Sequence, residues 1–196
     1  MIPTNWSKIN ITQYEAIEDI MREPIKDDLD KIQRYIDVLE IITGKEQDEI
    51  RELPVEKLLR VQDLLNTDIP KKLPEWIKLK DNYYKVIQNP TKENADRYMM
   101  VMNAVKSNKT NEVLFSVCKP YNKILGKEIK LSPEENAERI EHFRELPVTL
   151  AMPIKVFFCN LYTELTNVIL KYSDQILETQ KKLVEQQISS LENLDG

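Results

Sequence analysis

The stretch that decides the fold class is residues 153–190, PIKVFFCNLYTELTNVILKYSDQILETQKKLVEQQISS. After Pro153 it contains no glycine or proline, and its apolar residues recur at intervals of three and four. This spacing places them on one face of an α-helix. A helix of about 38 residues is about 57 Å long, whereas a domain of this size has a radius of gyration of roughly 16 Å. We therefore expect a helix that packs on the rest of the chain and projects from it.

We expect this helix to carry an interaction surface. The predicted partner-binding residues are Phe157, Phe158, Leu161, Tyr172, Ile176 and Leu183. Burial in the core is the simpler interpretation of the first three. Beyond Leu177 the apolar residues of this face become sparse. This is typical of a fraying helix end, and equally of an interface with another subunit or a partner protein.

Shorter helices are predicted in the preceding residues. Thr12 and Glu15 have the spacing of a capping box, so a helix is expected to begin there. The acidic pair Asp27–Asp28 suits the start of a second helix, and Gly44 suits its end. Residues 132–135, SPEE, combine a cap, a proline and acids in the order typical of a helix start.

One segment has the alternation of a pair of β-strands. Apolar and polar residues alternate from Trp76 to Lys80 and again around Lys85, and the intervening pair Asp81–Asn82 is competent to turn. A small β-hairpin is therefore expected at about residues 75–87, with a helix as the alternative. Residues 121–130 contain Gly126 and are expected to form a loop.

These patterns predict a mainly α fold of about seven helices with one small β-hairpin and a long C-terminal helix. Residues 1–152 are expected to form the helical body with the hairpin, and residues 153–196 the long helix. The pentapeptide RELPV occurs at residues 51–55 and again at 144–148. Because the two regions share little else, we interpret it as two similar helix breaks at proline rather than as a duplication.

Charge is distributed in three parts along the chain. Residues 1–69 have a balance of −7, residues 70–130 a balance of +7 from 13 basic and 6 acidic side chains, and residues 131–196 a balance of −5. A basic middle segment between acidic ends permits attraction within one chain or between copies. A homo-oligomer is therefore one of the assemblies to consider.

The basic middle segment contains a candidate nucleic-acid surface. Its members are Lys71, Lys72, Lys78, Lys80 and Lys85, together with Trp76, Tyr83 and Tyr84. Lysines interleaved with exposed aromatic rings neutralise phosphates and stack on bases. However, the net charge is −5 and Arg97 is the only arginine of the segment, and lysines also protect sheet edges. A solvated basic face is the preferred interpretation, and nucleic acid is a more distant alternative.

Few residues are available for catalysis or for holding a cofactor. The chain has three glycines, too few for the glycine-rich loops that bind nucleotides. His142 is the only histidine, and nothing in the sequence gives it a catalytic partner. Cys118 and Cys159 lack metal-ligand spacing and are expected to be buried thiols. We therefore expect no enzymatic activity, no cofactor and no metal.

The sequence also predicts where the protein is made. The amino terminus lacks the basic flank and apolar stretch of a signal peptide. No segment approaches the ~20 apolar residues that span a bilayer. Two widely spaced cysteines do not suggest a secreted disulfide scaffold. We expect a soluble protein that is made in a cytoplasm and has no membrane partner.

A distinctive order of segments runs through the chain. Trp6 precedes INITQY at residues 9–14, and LEIITG at 39–44 and EIRELP at 49–54 follow. The hairpin-like segment at 76–86 comes next, and FF at 157–158 opens the last helix. This layout resembles small helical proteins encoded among the structural genes of tailed bacteriophages, some of which look like tail assembly chaperones.

The resemblance implies a non-enzymatic role in building the virion. A tail assembly chaperone-like protein would cover an apolar partner, such as the tape-measure protein, through its helical faces. The alternative is a head–tail ring or connector component that grips its neighbours through a terminal helix. The implied partners are other phage structural proteins of tape-measure, tail or portal type, in the host cytoplasm during assembly, with retention in the virion left open. The resemblance offers no active-site residues.

Overall fold

The structure, a computed structural model, describes residues 2–192 and gives side chains for residues 2–182. It divides into two units, of which the first ends at Phe157 and the second begins at Phe158. Eight α-helices and one four-stranded sheet lie within the described residues, which confirms the mainly α fold and its long C-terminal helix. The helices are α1 (Ile11–Arg22), α2 (Asp28–Thr43), α3 (Gln47–Arg51), α4 (Val55–Leu65), α5 (Ala95–Ser107), α6 (Thr110–Val117), α7 (Pro133–His142) and α8 (Val148–Glu192). The strands are β1 (Trp76–Leu79), β2 (Asn82–Val86), β3 (Cys118–Asn122) and β4 (Lys127–Glu128).

The sheet is larger than the predicted hairpin. β1 and β2 form that hairpin, but its turn is Lys80–Asp81, one residue earlier than the sequence indicated. β2 also pairs with β3, and β3 with β4, all antiparallel. The prediction of a loop at residues 121–130 is therefore wrong, because this segment holds a second hairpin that turns at Gly126. β4 has only two residues, too few for an alternation of polarity to reveal it.

One face of the sheet belongs to the core. Ile77, Tyr84, Val86 and Cys118 are all buried on it. The ring of Phe143, which follows α7, meets the ring of Tyr84 edge to face with centroids 5.0 Å apart. Because side chains alternate along a strand, the residues between these buried ones point to solvent.

The first helices pack around a second part of the core. Trp6, Ile17, Leu39, Val61 and Val148 are all buried in this cluster. The indole N–H of Trp6 donates a hydrogen bond to the carbonyl of Thr67 at 2.7 Å, which satisfies the only polar atom of its ring. The amphipathic faces of α1, α2 and α4 therefore meet at one apolar cluster.

The ends of these helices follow local capping chemistry, but the predicted N-cap of α1 is wrong. α2 begins after Asp27 and ends at Gly44, whose φ is +66°, and α7 begins with a capping box of Ser132 and Glu135, as predicted. At α1 the cap is Asn10 instead of Thr12. Its side chain accepts a hydrogen bond from the amide of Gln13 at 2.9 Å, and the Gln13 side chain accepts one from the Asn10 amide at 3.1 Å.

α8 begins at Val148, five residues before the predicted start at Pro153. Backbone hydrogen bonds hold this start, since the amide of Val148 donates to the carbonyl of Ile9 at 2.9 Å and the amide of Ile11 donates to Leu146 at 3.2 Å. Pro153 lies inside the helix, where it removes one backbone donor near the N-terminus. In the described part of the chain, no helix is both long and apolar enough to cross a membrane.

Candidate functional site

The second unit presents large apolar side chains to solvent along α8. Tyr172 is 67% exposed and Ile176 is 50% exposed. Of the other predicted residues, Leu161 is half-buried and Phe158 is fully buried, whereas Phe157, at the end of the first unit, is at the surface. The Leu183 side chain lies outside the residues whose side chains the structure describes. The exposed part of the predicted surface is therefore its middle portion.

Further apolar residues lie on the same face of α8. At 100° per residue, the members of this face fall within an arc of roughly 100°. We call them the α8 stripe: Leu161, Leu165, Val168, Ile169, Tyr172 and Ile176. Ile169 is 63% exposed and was absent from the predicted partner-binding residues, although its place in the three-and-four spacing was a usable signal.

Two more exposed leucines lie on a different face of α8. Leu170 and Leu177 are both more than half exposed. Around the helix axis, Leu170 lies about 150° and Leu177 about 130° from the centre of the α8 stripe. They resemble Ile169 and Ile176 in size and exposure but belong to another surface, and this makes them an internal control for any function of the stripe.

The solvent-facing side of the sheet carries aromatic and basic side chains. In the strand register, Trp76 lies opposite Lys85, Lys78 lies opposite Tyr83, and Tyr83 lies opposite Tyr121. The rings of Trp76 and Tyr121 meet edge to face with centroids 5.0 Å apart. All three rings are half-buried, so part of each reaches solvent.

Lysine side chains lie over these rings. The ammonium nitrogen of Lys123, in the β3–β4 turn, is 3.9 Å from the centroid of the Tyr83 ring. The corresponding distances are 5.5 Å from Lys85 to Trp76 and 5.8 Å from Lys78 to Tyr83. We call the set Trp76, Lys78, Tyr83, Lys85, Tyr121 and Lys123 the basic aromatic face.

The lysines of the basic aromatic face have no acidic partner among the residues whose side chains the structure describes. Among the ion pairs of the described residues, none involves Lys78, Lys85 or Lys123. The neighbouring Lys119 differs, because it is paired with Glu93 and lies 3.8 Å from a carboxylate oxygen of Glu128. Three positive charges of this face are therefore available to an anionic ligand.

The predicted basic surface is only partly brought together. Lys78 and Lys85 lie on the basic aromatic face, whereas Lys80 is in the hairpin turn and its ammonium nitrogen is 3.1 Å from Glu145. Lys71 and Lys72 are exposed in the segment before β1. The prediction for Tyr84 is wrong, because its place in the alternation puts it on the inner face. Burial there raises the pKa of its phenol.

Sequence reasoning missed Tyr121 and Lys123. Both lie in the segment that was expected to be a loop, and their place on the sheet depends on the pairing of β3 with β2. The signal that was available is the alternation of buried Cys118 and Pro120 with half-buried Lys119 and Tyr121. This alternation spans four residues, which is the lower limit for recognising a strand.

Two titratable residues that were considered for chemistry lie on different elements, His142 on α7 and Cys118 on β3. His142 is half-buried on α7, and its Nε2 is 3.6 Å from a carboxylate oxygen of Glu138 one helical turn earlier. Cys118 is buried in β3, and this burial raises the pKa of its thiol. Within the part of the chain that the structure describes, no three His, Cys, Asp or Glu side chains are grouped so that they could hold a metal ion.

We compared the chain with protein-family models, with curated proteins and with solved structures, and none of the three comparisons finds a match.

Proposed function

We propose that the chain is a non-enzymatic protein-interaction component that docks a helix of a partner protein on the α8 stripe. The observation that supports this proposal is the exposure of large apolar side chains on one helix face. Val168, Ile169, Tyr172 and Ile176 are each half or more exposed. Apolar side chains that are contiguous on one face mark binding sites more often than scattered ones do.

The magnitude of the exposed surface constrains the partner. Full burial of a large apolar side chain contributes roughly 1.5–3 kcal/mol, so covering the exposed half of four of them contributes about 3–6 kcal/mol. Association itself costs about 4–15 kcal/mol. The stripe alone therefore does not support a stable complex, and the partner must bring a comparable apolar face. An amphipathic helix meets this requirement.

The setting that we propose is the assembly of a tailed-phage particle, and its support is the layout of the sequence alone. In the first form, the chain is a tail assembly chaperone-like protein that keeps an apolar helical segment of a tape-measure protein in solution. The alternative is a head–tail ring or connector component, in which the partner helix belongs to a second copy or to a portal-type neighbour. Both forms use the same surface on α8.

The test is the mass of the protein in solution, measured by light scattering after size exclusion. The full chain is compared with a chain that ends at residue 177, and with the double variant Ile169→Ser, Ile176→Ser. A ring or filament that the double variant disrupts supports the connector form. A monomer or small oligomer that keeps a coexpressed tape-measure helix soluble, and loses this ability in the double variant, supports the chaperone form.

The matched control is the double variant Leu170→Ser, Leu177→Ser. It removes apolar side chains of similar size and exposure from the same helix, but from the other face. Assembly and partner binding are expected to persist in this control. The proposal is wrong if the two double variants behave alike, or if the truncation, which keeps the whole α8 stripe, abolishes assembly and partner binding while the Ile169, Ile176 double variant does not.

A further inference from the structure

We propose that the basic aromatic face of the sheet binds single-stranded nucleic acid, with bases stacked on its rings and phosphates paired with its lysines. The proposal is independent of the α8 stripe. It rests on the way the sheet brings Tyr121 beside Trp76 and Tyr83, which lie 38 or more positions earlier in sequence, between three lysines that have no acidic partner among the described residues.

The first step of the argument is the composition of this face. On β1, β2 and β3 the outward positions are occupied only by aromatic residues and lysine, namely Trp76, Lys78, Tyr83, Lys85, Lys119 and Tyr121. An ordinary solvated face of an antiparallel sheet mixes threonine and both signs of charge. Two acids border this face at its β3 edge: Glu93 is paired with Lys119, and Glu128, opposite Tyr121 in the register, is held by Arg97 at 2.8 Å.

The second step is the geometry of the rings. Trp76 on β1 reaches across β2 to meet Tyr121 on β3, with centroids 5.0 Å apart, and Tyr83 lies opposite Tyr121. The three rings are therefore neighbours on one side of the sheet. Stacking on such rings is tolerant of sequence because every base has a π face.

The third step concerns the contact on the Tyr83 ring that a bound base would replace. The ammonium of Lys123 now lies 3.9 Å from the centroid of Tyr83, in an exposed cation–π contact, which is the weak form of that interaction. Stacking of a base on an exposed ring is stronger than such a contact. A base is therefore able to replace the ammonium on the ring, and the displaced lysine is then free to pair with the adjoining phosphate.

The net charge of −5 is unevenly distributed along the chain. The acidic excess belongs to residues 1–69 and 131–196, whereas residues 70–130 have a balance of +7. Charges farther from a bound phosphate than the Debye length of about 8 Å at physiological salt are largely screened. Charges within this distance, among them those of Lys119, Glu93 and Glu128 at the edge of the face, therefore contribute most to the interaction.

The experiment measures the fluorescence anisotropy of labelled 15-nucleotide oligo(dT) and oligo(rU) with the full chain, from 50 to 300 mM salt. The triple variant Lys78→Gln, Lys85→Gln, Lys123→Gln is expected to weaken binding about 100-fold at 0.1 M salt and to reduce the slope of log affinity against log salt by about 2. The matched control is Lys8→Gln, Lys57→Gln, Lys106→Gln, which makes the same change in net charge at exposed lysines elsewhere. This control is expected to bind as the wild type does.

The contribution of the aromatic rings is tested with substitutions that leave the net charge unchanged. Trp76→Ala and Tyr83→Ala are each expected to weaken binding roughly 5- to 150-fold without changing the salt slope. Trp76→Phe keeps a ring and is expected to retain most of the affinity, which separates stacking from any loss of stability. A 15-base-pair duplex is expected to bind more weakly than either single strand, because its bases are already stacked. Comparison of oligo(dT) with oligo(rU) shows whether the face prefers DNA or RNA.

Three results would overturn the proposal. The first is the absence of binding to both oligonucleotides at 50 mM salt. The second is an equal loss of affinity in the two triple variants, which would mean diffuse electrostatic attraction. The third is an oligo-glutamate peptide that binds as tightly as the oligonucleotides with no effect of Trp76→Ala, which would assign the face to an acidic protein segment.

Discussion

Replacing Arg34 with methionine tests how the end of α1 is joined to α2. Arg34 is buried, and its guanidinium donates hydrogen bonds to the carbonyls of Ile20 at 3.2 Å and Pro24 at 2.8 Å and to the carboxylate of Asp30 at 3.0 Å. The carbonyl of Ile20 has no helical partner, because the donor expected four residues later would be the amide of Pro24, and proline has none. Arg34 therefore donates a hydrogen bond to a carbonyl that has no backbone donor because residue 24 is proline.

The size of the effect follows from what remains after the substitution. A hydrogen bond from a charged group contributes about 1.5–3 kcal/mol, and methionine removes all those made by this guanidinium. Water reaches part of the site because Pro24 is exposed, so the losses do not simply add. We expect the free energy of unfolding to fall by about 3–5 kcal/mol, as when one partner of a buried ionic group is removed.

Urea unfolding followed by circular dichroism measures this change, and a thermal scan should show a fall in Tm of roughly 6–20 °C. The control is Arg22→Met at the end of α1, where the arginine side chain is 71% exposed and pairs with Glu18 and Asp19. Such surface pairs contribute less than about 1 kcal/mol. The reasoning is refuted if Arg34→Met stays within about 1 kcal/mol of the wild type, or if the two variants lose the same stability.

Three further changes have defined outcomes. Gly44→Ala places a Cβ at φ +66° and should cost about 1 kcal/mol in urea unfolding; an unchanged midpoint would contradict this. Ser132→Ala removes the capping box of α7 and should cost about 1 kcal/mol, with faster hydrogen exchange confined to α7. The hydrogen bond from the Lys26 amide, and then Arg34, hold the pKa of Asp30 below its usual range. This carboxylate therefore contributes stability that is present above its unfolded pKa and lost as the pH falls through the folded one, so Asp30→Asn should weaken the acid dependence of unfolding measured between pH 6 and 2.

The helix ends show how far local chemistry predicts the fold. Gly44 and Ser132 act through their own backbone and side chain, so their roles were readable from the sequence. Thr12 and Asn10 are both capable caps, two residues apart. The choice between them is made by a distant contact, since the amide of Ile11 donates to the carbonyl of Leu146 and so leaves Asn10 extended at the cap position. Local pattern predicts that a helix starts here, and the tertiary contact decides the residue.

The basic aromatic face was likewise predictable only in part. The alternation of Trp76, Lys78, Tyr83 and Lys85 within one hairpin made the first half predictable. The second half requires β3 to pair with β2, which joins Tyr121 to Tyr83 across 38 positions. Pairing over that distance is set by burial of the inner face, where Cys118 and Tyr84 contribute to the core, and no short pattern encodes it.

One salt titration distinguishes binding at the two proposed surfaces. The α8 stripe is apolar, and removal of apolar area from water is not weakened by moderate salt, while sulfate strengthens it. The basic aromatic face acts through Lys78, Lys85 and Lys123, and pairing with phosphates releases counterions, so affinity falls steeply as salt rises. As salt rises, oligonucleotide binding should therefore weaken, whereas the mass of the assembly should stay constant or, in sulfate, increase. If assembly and nucleic-acid binding instead weaken together, both would depend on the basic segment, and the assignment of docking to α8 would be wrong.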